Sequence, residues 1–207
     1  MIKDYLIFDD ILTQEEQNIL EEYVNKENLL WEHIDNITGP FGGKMYTKQL
    51  PGKVLIYENI DKNIISIIEK IQLNVCEKIN LDYIKTYRCK INKTSPVDFE
   101  YNPFDLTHID MKMEHLVIVY YINDSDGDTV ILENIDGVGM ENMFKNINGV
   151  NKESFNIIKA ITPKKGTVSV FNGNLYHYGD YPKTNERFVI NIDLAVKSQN
   201  TKLKKLF

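Results

Sequence analysis

The feature that most limits how this chain can fold is a change of hydrophobic period near residue 80. Before it, apolar residues recur every three or four positions, as on the buried face of a helix. Ile64, Ile65, Ile68, Ile71, Leu73 and Val75 mostly follow this spacing, which predicts a helix from about Asp61 to Ile79. Upstream, Thr13-Gln14-Glu15-Glu16 is a capping-box pattern. It predicts an amphipathic helix through Leu20 and Val24, preceded by a short strand, Tyr5 to Phe8. After residue 80 the apolar runs are short or alternate with polar residues: Tyr83 to Ile91, Thr107 to Asp110, His115 to Ile122, Thr129 to Leu132, Ile157 to Ile161, Thr167 to Phe171, Leu175 to Tyr178 and Arg187 to Val196.

Eight short strands parted by turns containing Asn, Asp, Gly and Pro are what a double-sheet jelly roll requires. The expected fold is therefore mainly β with N-terminal helices, around a double-stranded β-helix of the jelly-roll, cupin-like kind. Residues 1–207 are read as one domain: a helical support over 1–80, the jelly-roll core over 81–197 and a tail over 198–207. The interval Glu133 to Asn156, with Gly137, Gly139 and Gly149, is expected to be a loop or short helix at the barrel mouth.

With 43% hydrophobic and 26% charged residues, the chain falls in the globular class rather than the disordered one. Its longest nearly apolar run, Leu116 to Ile122, is too short for a membrane helix, and Lys3, Asp4, Asp9 and Asp10 stand where a signal peptide would be apolar. A cytoplasmic location, or a host cytoplasm, is the expectation, with no membrane partner. Cys76 and Cys89 lack CxxC spacing and read as buried reduced thiols. A net charge of -6 gives no pull toward nucleic acid, and the basic stretch Lys197 to Lys205 reads as a solvated end. The sequence sets no oligomeric state. It holds 22 lysines and only two arginines, Arg88 and Arg187. An arginine kept against that bias points to a place where a planar, bidentate guanidinium is needed.

His108-Ile109-Asp110 puts two candidate ligands two residues apart, on one face of an extended segment. His177 follows 69 residues later, and Arg187 ten after that. Two imidazoles and one carboxylate bind one face of an octahedral Fe(II) and leave three positions open. Two of these can take the keto and carboxylate oxygens of 2-oxoglutarate and the third dioxygen, while Arg187 suits the co-substrate's far carboxylate.

The run from about Thr107 to Asp193 resembles the catalytic core of the 2-oxoglutarate/Fe(II) oxygenase superfamily, near its prolyl-hydroxylase-like branch. The resemblance rests on His108-Ile109-Asp110, Val119 to Asn123, Asp126-Gly127-Asp128-Thr129, Pro163 to Phe171, His177 and Arg187, in that order. It implies that His108, Asp110 and His177 hold the iron and act in catalysis. Tyr121 would join Arg187 on the co-substrate carboxylate, although core packing is the other reading of that tyrosine. The implied reaction hydroxylates a C–H bond of an amino acid, a peptide or protein side chain, or a small metabolite. Succinate and CO2 are released, with dioxygen consumed and ascorbate a candidate stimulant. Two departures stand out. The usual Gly-Gly-acid-Thr turn is Asp126-Gly127-Asp128-Thr129, and Asp193 replaces the second arginine of DNA-repair members, which argues against nucleobase demethylation.

A rival reading is a non-catalytic metal-binding jelly roll with a sensing or structural role. Arg88 shares a strand face with Lys90 and Asn92, so it either meets substrate at the pocket mouth or lies exposed at a sheet edge. His33 and His115 have no ligand partner at a telling spacing. Asp124, Asp126 and Asp128 lack the Gly and Glu of a calcium loop and read as a polar turn.

Overall fold

The computed structural model describes residues 5–33, 52–56, 60–111, 113–134 and 155–198. Its strands form two antiparallel sheets. The larger has seven strands in the order β1-β8-β5-β10-β4-β3-β2, and the smaller three, β7-β6-β9. In chain order the elements are β1 (Tyr5–Phe8), α1 (Gln14–Val24), β2 (Glu32–His33), β3 (Gly52–Ile56), α2 (Lys62–Ile79) and β4 (Leu81–Thr94). A short 3-10 helix (Pro103–Leu106) follows, then β5 (Leu116–Tyr121), β6 (Thr129–Asn134), β7 (Phe155–Ile161), β8 (Val168–Asn172), β9 (Tyr176–Gly179) and β10 (Arg187–Ser198).

Both predicted helices form where their signals stand. Thr13 accepts from the Glu16 backbone N–H while the Glu16 carboxylate accepts from the Thr13 N–H, completing the capping box of α1. α2 buries Ile64, Ile67, Ile68, Ile71, Val75, Cys76 and Ile79, each large aliphatic contributing about 1.5–3 kcal/mol on burial. Leu73, included in the spacing reading, is 56% exposed because it lies roughly 200° around the helix from Ile71 and Val75. Asn80, in the left-handed conformation that asparagine tolerates, ends the helix and turns the chain into β4.

The helices cover one face of the large sheet. Leu116, Ile118, Tyr120, Phe188, Ile190, Ile192 and Leu194 pack into one cluster with Leu20, Val24, Ile68 and Ile71. Alternate residues of the same strands, Val117, Val119, Tyr121, Phe171 and Val189, face the small sheet and meet Ile131 and Ile161 there. β5 is thus buried on both sides at every position, which explains why its run of six residues is continuously apolar rather than alternating.

The strand expected at Thr107 to Asp110 is reduced to a single bridge, His108 opposite His177. β2 and β3 were not signalled by the sequence; Gly52, at the start of β3, follows Pro51 in a dipeptide that reads as a turn. The segment expected to be a loop or helix at the barrel mouth lies, over 135–154, outside the described residues. No helix among the described residues is long and apolar enough to cross a membrane.

Candidate metal and anion site

The bridge that replaces the expected strand brings the two histidines together. The His108 and His177 backbones exchange N–H···O bonds of 3.0 Å each, and their rings stand 4.6 Å apart. Both imidazoles are oriented by the same device. Nδ1 of His108 donates to the Leu106 carbonyl at 2.8 Å, and Nδ1 of His177 to the Leu175 carbonyl at 3.1 Å. A carbonyl can only accept, so Nδ1 carries a proton in each ring and Nε2 is the nitrogen left to face Asp110.

Asp110 completes the group. Its Oδ2 lies 3.2 Å from His177 Nε2, and its Oδ1 3.7 Å from His108 Nε2. At 3.2 Å the first pair is close but not aligned as a hydrogen bond, and both atoms are buried without a partner. Ligand atoms of His108, Asp110 and His177 all fall within 4.8 Å of one another. A cation is what such converging lone pairs lack, and this donor set of two nitrogens and one oxygen fits a borderline divalent metal. Burial pushes His108 down to about 4, so it is neutral and able to ligate near pH 7. Burial also opposes charge on Asp110, but His177, His108 and Arg88 hold its carboxyl well below the usual range. For His177 the burial penalty is outweighed by the Asp110 carboxylate, which raises its pKa.

From this cluster a cavity extends along the inner face of the large sheet, lined by Lys90, Asn92, Asn191, Thr129, Tyr178 and Arg187 among others. Arg187 is 6% exposed. Its Nη2 donates to Thr129 Oγ1 at 2.7 Å, its Nε has no hydrogen-bond partner, and no carboxylate among the described residues lies within ion-pair distance. Burial lowers its pKa, yet an arginine keeps its charge. Two glycines make room for it: a Cβ on Gly179 would come 3.0 Å from Arg187 Nη1, and one on Gly127 would come 3.2 Å from Cδ. Tyr121, fully buried, bonds Ser169 Oγ at 3.1 Å and lies near enough to Arg187 for each to influence the other's ionisation.

Arg88 is three-quarters buried and engaged with two acids, Asp110 and Asp193. Three residues at the site carried no sequence assignment. Thr129 seats Arg187, while His115 and Asp193 form a second group with Asp110 whose ligand atoms also lie within 4.8 Å. The signal for Asp193 was present in the strand alternation: with Arg187, Val189 and Asn191 it falls on the inner face of β10, where a charge interrupts a buried run. His115 is buried, its Nδ1 donating to the Met113 carbonyl at 2.7 Å. His33 lies on β2, at the edge of the large sheet.

No family model matches the sequence, and no curated protein matches it. Solved structures do. A prolyl hydroxylase from Trichoplax adhaerens, in complex with a peptide fragment of the hypoxia inducible factor oxygen degradation domain, is similar over 93% of this chain and 83% of its own. Their TM-score is 0.59 at 12% identity. The viral collagen prolyl hydroxylase of Paramecium Bursaria Chlorella virus-1, as its 2-oxoglutarate complex, is similar over 94% and 97%, with TM-score 0.52 and 16% identity. HygX from Streptomyces hygroscopicus, with nickel and 2-oxoglutarate bound, is similar over 95% and 84%, with TM-score 0.57 and 11% identity. The chain has the fold that these three structures share.

Proposed function

We propose that this chain is an Fe(II)- and 2-oxoglutarate-dependent dioxygenase that hydroxylates a C–H bond of an amino acid, a peptide or protein side chain, or a small metabolite. Residues 1–207 act as one domain, the two sheets forming a double-stranded β-helix. The observation that carries the reading is the pairing of two unmet demands in one cavity: converging ligand atoms of His108, Asp110 and His177 at one end, and at the other a buried Arg187 with no ion-pair partner among the described residues.

In this reading His108 Nε2, Asp110 Oδ2 and His177 Nε2 hold the iron. When bound, iron and the keto acid supply the oxidising chemistry, with dioxygen consumed and succinate and CO2 released. The chain's own residues orient and exclude water. The Leu106 and Leu175 carbonyls fix the imidazoles, and Arg187, braced by Thr129, pairs with the far carboxylate of 2-oxoglutarate. Tyr121 lies at the same end and lends its hydroxyl. Similar structures hold 2-oxoglutarate, one of them with nickel, and one holds a peptide. Ascorbate would act by keeping the iron ferrous.

The test is anaerobic addition of Fe(II) and then 2-oxoglutarate, read by the metal-to-ligand absorption band, followed by oxygen and a screen of amino acids and peptides for succinate release. Metal uptake without that band and without succinate would favour the non-catalytic jelly roll.

A further inference from the structure

Arg88 on β4 stands directly across from Asp193 on β10 and reaches two acids at once. Its Nε donates to Asp193 Oδ2 at 2.6 Å, and its Nη2 donates to Asp110 Oδ1. The two oxygens of Asp110 are therefore in different states. Oδ1 is held by a guanidinium, whereas Oδ2 has no hydrogen-bond partner and lies 3.2 Å from Nε2 of His177. We propose that Arg88 is a positioning residue: it ties down one oxygen of Asp110 so that Oδ2 alone is offered to the metal, and it keeps the Asp193 carboxylate from joining as a fourth protein ligand. The inference rests on the iron reading given above.

The need for such a device follows from coordination arithmetic. A carboxylate with both oxygens free can chelate a metal and take two positions, and each position so taken is denied to the keto acid or to dioxygen. Asp193 is a second threat. It is fully buried, its Oδ1 has no hydrogen-bond partner, and it lies in a group with Asp110 and His115 whose ligand atoms are within 4.8 Å. Only a rigid fork can hold two acids in fixed directions with separate N–H groups. In a chain with 22 lysines and two arginines, an arginine stands here. On its far side Asp193 is confined by the His115 ring, 3.9 Å away, which is itself wedged where a Cβ on Gly173 would come within 2.2 Å.

The competing explanation is that Arg88 merely neutralises Asp193, since a lone buried charge is costly. The double variant Arg88→Met/Asp193→Asn separates the two, because it removes that ion pair whole and leaves Asp110 in place. Parent and variants are loaded anaerobically with Co(II), and the visible spectrum, the 2-oxoglutarate dissociation constant and the melting temperature are measured. The double variant is expected to melt within a few degrees of the parent. Its Co(II) bands should weaken, as when an added ligand raises the coordination number, and its 2-oxoglutarate dissociation constant should rise about tenfold or more, the range for losing an outer-shell support. Arg88→Lys should fall between the double variant and the parent, and it decides the matter if the double variant does not fold. A double variant with the parent's spectrum and dissociation constant overturns the proposal and leaves Arg88 as a counter-ion of Asp193. A parent that takes up no Co(II) overturns the iron reading, and this inference with it.

Discussion

One strand, β10, presents two chemistries on its two faces. Phe188, Ile190, Ile192 and Leu194 point toward α1 and α2 and are at most 4% exposed. Arg187, Val189, Asn191 and Asp193 point the other way, toward the small sheet and the cavity. The first face is held by transfer of apolar area from water, an interaction without direction that accepts any well-packed side chain of the right volume. The second buries charge and unpaired acceptors, which cost stability unless something meets them. The helices and the outer face supply the surplus that lets the inner face remain unsatisfied. Changes on the two faces should therefore separate cleanly: ligand binding on one, stability on the other.

The largest effect is expected at the metal end. His108→Ala and His177→Ala should each weaken Fe(II) or Co(II) binding by more than about 100-fold, beyond the usual loss for an outer-shell residue, because two ligands hold a labile ion poorly. Calorimetric titration reads this. The metal-free melting temperature should stay within a few degrees, and normal binding by His177→Ala would hand the third ligand to another residue.

Next comes Arg187. Truncating one member of a buried charge pair costs about 2–5 kcal/mol, so Arg187→Ala should weaken 2-oxoglutarate binding roughly 30-fold to several thousand-fold. Arg187→Lys should fall between, since a point charge restores attraction but not two parallel hydrogen bonds. Metal affinity should hardly move in either. An unchanged 2-oxoglutarate dissociation constant in Arg187→Ala, measured under argon, would place the carboxylate elsewhere, with Arg88 the remaining arginine.

These contrasts also show what the sequence could and could not reveal. The period change at residue 80 and the capping box at Thr13 are local signals, and both helices and most strands form at those places. The six residues singled out for chemistry all lie at or beside one cavity or the His108, Asp110 and His177 group at its end. Thr107 to Asp110 fails as a strand, yet one bridge to His177 brings the two histidines together, and the Leu106 and Leu175 carbonyls set the ring directions. The Arg88 contacts were not legible, since they depend on β4 pairing with β10 across 105 residues of sequence. His115 was passed over for a similar reason: nothing nearby in sequence announces Asp193 as its neighbour.

A milder change on the outer face sharpens the comparison. Ile192→Val removes one methylene from a fully buried position and should cost about 0.5–1.5 kcal/mol in denaturant melts. Its metal and 2-oxoglutarate constants should match the parent's, although Ile192 is flanked by Asn191 and Asp193. A change in metal affinity would mean that the two faces are coupled through the strand.

The smallest effect concerns two thiols that belong to the outer layer. Cys76 on α2 and Cys89 on β4 both lie in the cluster between helices and sheet, 3% and 6% exposed. Burial pushes the Cys76 thiol up to about 11 and the Cys89 thiol up to about 12, the latter helped by the Asp193 charge. Both stay protonated at pH 8, and the thiolate is the reactive form. A disulfide reagent at pH 8 should therefore label neither thiol in the native protein and both after unfolding. The sign of the accompanying pH effect follows from linkage. The folded pKa values lie above the unfolded value of about 8.5, so between them the unfolded chain sheds protons that the native chain keeps, and stability falls as pH rises. Each thiol should contribute up to about 1.4 kcal/mol of loss per pH unit in that window. Lysines titrate nearby, so the measurement is a difference: Cys76→Ala/Cys89→Ala should lose stability less steeply than the parent between about pH 8.5 and 10. Parallel curves, or rapid native labelling, would show that water reaches the layer behind the sheet, and the division of β10 into a dry face and a functional one would not stand.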